Sequence, residues 1–344
     1  MSKVYVGMSG GVDSSLTAAL LVEQGYDVTG VYMKNWTEDL PGMQCPWAQD
    51  LADAKRVAVQ LNIPFKVYDF QADYKQKVVD YMINEYSRGR TPNPDIMCNQ
   101  EVKFKLFLDA ALADGADMIA TGHYARTDGD HLLMAANSTK DQTYFLYRIS
   151  HEAVTKTLFP IGDYMTKDEV RRDAAARGLT TATKRDSQGI CFVGSVGIRE
   201  FLSQHVKTKP GDIIDQESGR VLGRHDGAIF YTFGQRHGLN VGGGLPYYVI
   251  GKDMAKNEVY VSTNLNDSNF WAETIELSDL HWINQPPEIG RTYQIRVRHR
   301  APLVDAELIA NNIIKVPNPE RAVAAGQSIV FYQDDFVLGG GIAT

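Results

Sequence analysis

Over the first 150 residues, short apolar runs alternate with longer segments of helical spacing. Val4–Met8, Val28–Met33, Phe65–Phe70 and Met118–Thr121 read as strands, and Ser14–Gln24, Ala48–Leu61, Ala72–Arg88 and Glu101–Ala113 read as helices. That order implies a parallel, doubly wound α/β sheet. In such a sheet a ligand sits beyond the carboxyl ends of the strands, so the loops after Met8, Met33, Phe70 and Thr121 should converge on one crevice. Further helices are expected at Glu152–Thr157 and Lys167–Arg177, the second opened by Thr166 as N-cap with Glu169 at the capping-box position. After Val206 the pattern changes to short strands punctuated by glycine turns, with runs such as Ile213–Ile214, Ala228–Thr232 and Tyr247–Ile250. A second β run begins near Phe270. Within it Tyr293–Ala301 alternates, which puts Arg296, Arg298 and Arg300 on one strand face and Val297, His299 and Ala301 on the other. Strands ending at Ser328–Tyr332 and Phe336–Gly339 suggest a small closed barrel. The expected organisation is an α/β domain over 1–206, a small β-rich central domain over 207–268 and a β-barrel over 269–344.

Candidate chemistry starts where the first strand runs into Gly7-Met8-Ser9-Gly10-Gly11-Val12-Asp13-Ser14-Ser15. Adjacent glycines let the backbone approach a ligand without a Cβ in the way, and the N–H groups of a helix start favour an anion, here a phosphate. The Walker pattern and the G-x-G-x-x-G fingerprint are both absent from this loop. Ser-Gly-Gly-x-Asp-Ser instead resembles the pyrophosphate loop of the N-type ATP pyrophosphatases, which cleave ATP between the α and β phosphates. An ordinary glycine-rich turn is the plainer alternative, and Asp13 at a helix start is also a routine cap. Met33, ending the second strand, is a candidate adenine contact or plain core. Gly122-His123-Tyr124 follows the fourth strand, where the glycine would permit close approach of a nucleotide.

Two prolines in Gly89-Arg90-Thr91-Pro92-Asn93-Pro94-Asp95-Ile96-Met97-Cys98-Asn99 predict an ordered loop ahead of a helix over Asn99–Ala113. Asp95 and Cys98 then stand at the helix start, where the dipole and a basic neighbour such as Arg90 or Lys103 would lower a thiol pKa. A buried, inert cysteine is the other reading. Asn137 to Leu146, a polar tip running into an aromatic stretch, suits a surface that reads a substrate. Lys184-Arg185-Asp186-Ser187-Gln188-Gly189-Ile190-Cys191-Phe192 carries a second cysteine after two basic residues.

With 344 residues the chain is long enough for two or three domains. No apolar run is long enough to span a bilayer, and Met1-Ser2-Lys3 leads straight into a strand, so the expected location is the cytoplasm, away from membranes. Cys45, Cys98 and Cys191 are too widely spaced for a disulfide framework or a CxxC zinc site. A net charge of −7 argues against indiscriminate nucleic-acid coating. Between Lys156 and Pro210, however, ten Lys/Arg face six Asp/Glu, a surplus of four, and Arg296, Arg298 and Arg300 form a second basic cluster. Solvated faces or phosphate-binding surfaces would both fit.

Taken together, the glycine loop, Lys34-Asn35-Trp36, Thr91-Pro92-Asn93-Pro94-Asp95 with Cys98-Asn99, Thr121-Gly122-His123-Tyr124, Lys140-Asp141-Gln142 and Asp186-Ser187-x-Gly189-Ile190-Cys191-Phe192 resemble the bacterial tRNA-specific 2-thiouridylase family. Phe233-Gly234-Gln235-Arg236-His237-Gly238-Leu239, Leu280-His281-Trp282 and Gly339-Gly340-Gly341-Ile342 extend the resemblance over essentially the full length. It implies a HUP-like ATPase fold with a helical tRNA-binding extension. It also implies ATP- and Mg²⁺-dependent adenylation of the wobble uridine of tRNA for Lys, Glu and Gln, followed by sulfur transfer. The ATP site would be Gly7, Met8, Ser9, Gly10, Gly11, Val12, Asp13, Ser14, Met33 and Gly122. Cys191 would carry a persulfide received from a donor protein, a cysteine desulfurase or sulfur-relay protein. Cys98 would be the nucleophile, and Asp95 a general base or orienting group. Contacts to tRNA would come from Asn93, Pro94 and Asp95 at the target base, and from His123, Lys140, Asp141, Gln142, Arg298, His299 and Gln327; the family often has tyrosine at the position of His299. An iron–sulfur cluster on Asp95, Cys98 and Cys191 is a variant that thiolate softness permits and the spacing does not demand. A synthetase using a nitrogen nucleophile, or an ATP-gated RNA-binding module, would keep the glycine loop but leave the cysteines without chemistry.

Overall fold

The computed structural model describes residues 1–39, 45–184, 197–242, 244, 246–264, 270–321 and 323–344. Its first sheet contains β1 (Lys3–Gly7), β2 (Asp27–Lys34), β3 (Phe65–Asp69) and β4 (Met118–Thr121), all parallel, with β1 in the middle. The short strands β5 (Arg126–Thr127) and β6 (Leu132–Leu133) form a hairpin, and β7 (Thr157–Leu158) then completes the parallel sheet beside β4. Alternate β1 residues serve two cores. Val4 and Val6 pack with Leu16 of α1 (Val12–Glu23) and Val57 of α2 (Trp47–Gln60), while Tyr5 packs on the opposite side with Phe104 and Phe107. Both faces are covered, as an all-parallel sheet requires.

A second sheet is made by β8 (Gly211–Asp215), β9 (Val221–His225), β10 (Tyr248–Asp253) and β11 (Glu258–Ser262), in the order β10-β11-β8-β9. Ala228–Phe230, expected as the start of a strand, is a 3₁₀ turn, because Phe230 and Tyr231 bond back to Gly227 and Ala228. The third unit is a barrel of β12 (Trp271–Trp282), β13 (Thr292–Arg296), β14 (Val304–Ala310), β15 (Ile313–Arg321), β16 (Ser328–Gln333) and β17 (Phe336–Ala343). These strands run in the order β12-β15-β14-β13-β16-β17, and pairing of β12 with β17 closes the barrel and leaves no open edge between them.

The units share packing. The core under Tyr5 continues into Ile283, Val330, Tyr332 and Val337 of the barrel, and β6 pairs with β17 at Leu133 and Phe336. A further cluster joins Trp36, Val102 and Phe201 of the α/β unit to Ile229 of the 3₁₀ turn, with Met254 packed against both this cluster and the core of the central sheet.

Candidate active site

After β1 the backbone N–H of Met8 still donates to Val31 O, and the chain then turns through Ser9 to Gly11. Gly10 has φ +74°, and a Cβ there would lie 2.3 Å from the Asp50 carbonyl oxygen, so only glycine fits between the loop and α2. Ser15 Oγ donates to Gly11 O at 2.7 Å and Ser9 N–H donates to Ser14 Oγ at 3.2 Å, which shapes the loop from within. No side chain caps α1, so its first-turn N–H groups are left for an incoming anion. Met8 and Val12 are core side chains, and what they offer a ligand is backbone. Met33 packs its methyl against Gly7, 2.9 Å from where a Cβ would stand. Gly122 lies on the first turn of α1, its Cβ position 2.7 Å from Ser14 N. The loops after β1 and β4 therefore meet.

Asp13 has partners of its own. Lys167 Nζ lies 2.7 and 2.8 Å from its two carboxylate oxygens, and Tyr124 Oη donates to it at 3.0 Å. The capping box of Thr166 and Glu169 sets the start of the Lys167–Ala176 helix and thereby aims Lys167 at the loop. Sequence reasoning missed Lys167. Its signal was a lysine on the first residue of a well-capped helix, where the dipole disfavours a cation unless something else holds it.

The helix expected from Asn99 begins five residues earlier. Pro94 occupies its first position, where a missing N–H costs nothing, and Asn93 Oδ1 caps the N–H groups of Asp95 and Ile96 at 3.1 and 3.4 Å. Cys98 is therefore inside the helix, with its N–H bonded to Asp95 O and Pro94 O, and it opens a π-type stretch over Cys98–Leu106. Its environment is apolar: Cys98 is 3% exposed among Trp36, Val102 and Phe201. Arg90, one of the two basic residues considered for activating it, pairs instead with Glu85 at 3.4 Å.

Burial raises the Asp95 carboxyl above the ordinary range, and the Lys103 charge offsets part of that. Lys103 Nζ is also 3.5 Å from His123 Nε2, while His123 Nδ1 is 2.8 Å from Thr121 Oγ1 and its ring lies against Phe104. Burial, and then the Lys103 ammonium, hold His123 well below the usual imidazole pKa, so it is neutral near pH 7. A chain of contacts thus runs from the Cys98 helix through Lys103, His123 and Gly122 to Ser14 of the glycine loop.

Cys191 and the rest of 185–196 lie outside the described residues. Their flanks are informative. Lys184 donates to Asp50 at 2.7 Å and to Asp53 at 2.6 Å, on the helix that buttresses Gly10, and Phe201 beyond the segment packs in the Cys98 cluster. Among the described residues no group of three His, Cys, Asp or Glu is arranged to hold a metal ion.

The barrel side of the crevice departs most from expectation. β13 ends at Arg296, and Arg298 to Ala301 form a turn in which Arg300 has φ +62°, so the three arginines do not share a strand face. Arg298 and Arg300 are exposed, whereas Arg296 is buried against Asp141 at 2.9 Å and over the Tyr332 ring. Asp141, 1% exposed, also accepts bonds from Ala135 N–H and the Thr143 hydroxyl, which leaves its carboxylate no surface for a ligand. Gln142 Oε1 accepts from Tyr124 N–H, and Lys140 is half-buried. His299 lies on the Phe145 ring at 4.4 Å. Gln327 follows Gly326, which packs on Thr91, and Thr91 N–H donates to Ala325 O at 2.8 Å. Closing the barrel therefore carries Ala325 and Gly326, just before Gln327, to Thr91, two residues ahead of Asn93.

Comparison with known proteins gives a consistent picture. Family models described as tRNA methyl transferase HUP domain, tRNA methyl transferase PRC-barrel domain and aminomethyltransferase beta-barrel domain match residues 2–195, 199–263 and 272–343. Among full-length relatives, the tRNA-specific 2-thiouridylase MnmA of Geobacillus thermodenitrificans is 45% identical over 99% of this chain and 94% of its own. The protein of the same name from Idiomarina loihiensis is 46% identical over 99% and 95%. A solved 4-thiouridine synthetase in complex with RNA and ATP covers 60% of this chain and 50% of its own at 16% identity, with a TM-score of 0.39, too low to equate the folds.

Proposed function

From the chain's membership of the tRNA-specific 2-thiouridylase family, to which it belongs by identity over nearly its whole length, we propose that it replaces the C2 oxygen of the tRNA wobble uridine by sulfur. The methyltransferase wording of the domain models names a different chemistry, but the relatives that match over 99% of the chain carry the thiouridylase name. The observation that carries the reading is the contact chain between the glycine loop and the Cys98 helix. An activating half and a sulfur half of one reaction need that adjacency, whereas a nitrogen-using synthetase or an ATP-gated RNA-binding module gives the Cys98 helix no task.

In this reading the uridine O2 attacks the ATP α phosphate and pyrophosphate leaves, so that AMP becomes the leaving group at C2. The first-turn N–H groups of α1 and the Lys167 ammonium would hold the triphosphate. Mg²⁺, bound with the nucleotide, would share its charge, and Asp13 is the carboxylate at the loop that would reach it. The terminal sulfur of a Cys191 persulfide would then attack C2 and displace AMP. Cys98 thiolate would cleave the sulfur–sulfur bond, forming a Cys98–Cys191 disulfide and leaving sulfur on C2; alternatively Cys98 releases hydrosulfide, which attacks C2 itself. Asp95, whose carboxyl burial raises above the ordinary range, would trade a proton with the base or with Cys98. Asn93, Pro94, His123, Lys140, Gln142, Arg298, His299 and Gln327 would line the tRNA path, with Asp141 acting from beneath. An iron–sulfur cluster on Asp95, Cys98 and Cys191 has no support among the described residues, where no group of three His, Cys, Asp or Glu is arranged to hold a metal ion.

Residues 1–206 would supply adenylation and a helical tRNA contact, 207–268 the connection, and 269–344 the far wall. The sulfur donor would be a persulfide-bearing protein and the tRNAs those for Lys, Glu and Gln. No described helix is long and apolar enough to cross a membrane, and we place the enzyme in the cytoplasm.

Mass spectrometry of nucleosides from tRNA incubated with the protein, ATP, Mg²⁺ and a persulfide source should show 2-thiouridine at the wobble position. ATP-dependent product carrying nitrogen, or no modified uridine, would overturn the reading. Lys167→Met should weaken ATP binding and slow adenylation by about tenfold or more, the scale of a lost charge-assisted contact. An unchanged KM for ATP would remove Lys167 from the phosphate site.

A further inference from the structure

The turn just before the Asn93–Asp95 loop is enclosed by positive charge that no step above uses. Gly89, with φ +80°, sits between Arg88 and Arg90 and is pressed against the β10–β11 hairpin of the central sheet. A Cβ on Gly89 would lie 2.8 Å from Met254 Cγ and 3.4 Å from Lys252 Cε. The left-handed glycine thus lets a lysine from another unit reach the base of the loop. Lys252 is half-buried, and its one hydrogen bond among the described residues is donated to the Tyr231 carbonyl at 2.7 Å, so two of its three donors are unspent. Arg88 is exposed and Arg90 partly so, and both lie 3.4 Å from the same buried carboxylate, Glu85. Arg88 and Arg90 thus share one carboxylate, and Lys252 packs against the glycine between them.

We propose that Lys252, with Arg88 and Arg90, is a binding site for a phosphate of the RNA backbone next to the base received at Asn93–Asp95. The site rests on that reading of the loop and extends it to the central unit. A half-buried ammonium without a carboxylate is partly desolvated, and an arriving phosphate would offset that cost with charge-assisted hydrogen bonds. The two arginines supply the planar donors that phosphate favours. Burial alone brings the Lys252 ammonium down to about 8. The other titratable and charged groups near it are Glu85, Arg88 and Arg90 from the preceding helix and turn, His225 and Tyr231 below it, and Asp253 and Lys256 of its own hairpin. Asp253 is spent on the Ala255 and Lys256 N–H groups, and burial keeps His225 neutral. An anion binds the protonated amine, so affinity for tRNA should fall as pH rises through about 8.

The test is equilibrium binding of unmodified tRNA to the full-length protein between pH 7 and 9.5 and across a salt series, alongside thiolation at saturating tRNA. Lys252→Met should weaken binding at pH 7 about five- to twentyfold and lower the log–log salt slope by about 0.7 to 0.9, one phosphate contact. It should also lose the fall near pH 8 while keeping kcat. Lys252→Arg, charged throughout, should keep the affinity and lose only the pH dependence. If Lys252→Met does not fold, Arg88→Ala on the exposed rim carries the salt-slope test. Wild-type affinity and slope in Lys252→Met, or in Arg88→Ala where that substitutes for it, would overturn the proposal, as would loss of affinity in Lys252→Arg. A wild-type protein that binds no tRNA would instead sink the functional reading, so the two failures are distinct.

Discussion

Replacing Cys98 by alanine is expected to abolish 2-thiouridine formation, by about a thousandfold or more, while ATP-dependent pyrophosphate release in the presence of tRNA persists. The separation follows from geometry. The glycine loop takes its shape from Ser9, Ser14 and Ser15 and from the fit of Gly10 against Asp50, none of which involves Cys98. Removing one sulfur from the cluster of Trp36, Val102 and Phe201 should cost only about 1–2 kcal/mol of stability, so the variant should remain folded. Nucleoside mass spectrometry and pyrophosphate release on one preparation read both halves. Residual thiolation near the wild-type rate would show that Cys98 is packing, the alternative its burial also allows.

The second large effect concerns stability. Asp141 and Arg296 form a buried pair between the loop preceding Tyr144 and strand β13 of the barrel. Asp141→Ala strands the guanidinium, whose Nε already has no hydrogen-bond partner, and should cost about 3–5 kcal/mol. Adding Arg296→Met removes the stranded charge and should recover a large part of that loss. Thermal or denaturant melts of the wild type, both single variants and the double variant close the cycle. Simple additivity would mean that the two residues are not coupled. The same strap is held to the barrel by Tyr144 Oη on Ser328 O and by Tyr147 Oη on Ser328 Oγ, so the destabilised variants should also bind tRNA more weakly as the two walls drift apart.

What could be read along the chain was whatever depends on near neighbours. The alternation of β1, α1, β2 and α2 is a local signal, and so are the glycine turn and the Thr166–Glu169 capping box; all appear in the structure. The Cys98 helix starts earlier than the proline spacing predicts because Pro94, at a first helical position, initiates a helix instead of breaking one. The arginine face was misread for a related reason. Period-two spacing from Tyr293 to Ala301 cannot register that Arg300 takes a left-handed turn, nor that the carboxylate awaiting Arg296 lies 155 residues away in sequence.

By itself, the sequence determined the parallel sheet, the barrel class and the residue types that chemistry would need, because periodicity and turn chemistry are properties of short stretches. Tertiary structure alone decided which of those side chains are buried and paired and which face the crevice. It turned Asp141 from a surface contact into a buried anchor, drew Lys167 to Asp13, and pressed Lys252 against Gly89. Each outcome depends on burial and on a partner far along the chain. Desolvation and long-range charge are set by the folded environment, and no local pattern encodes them.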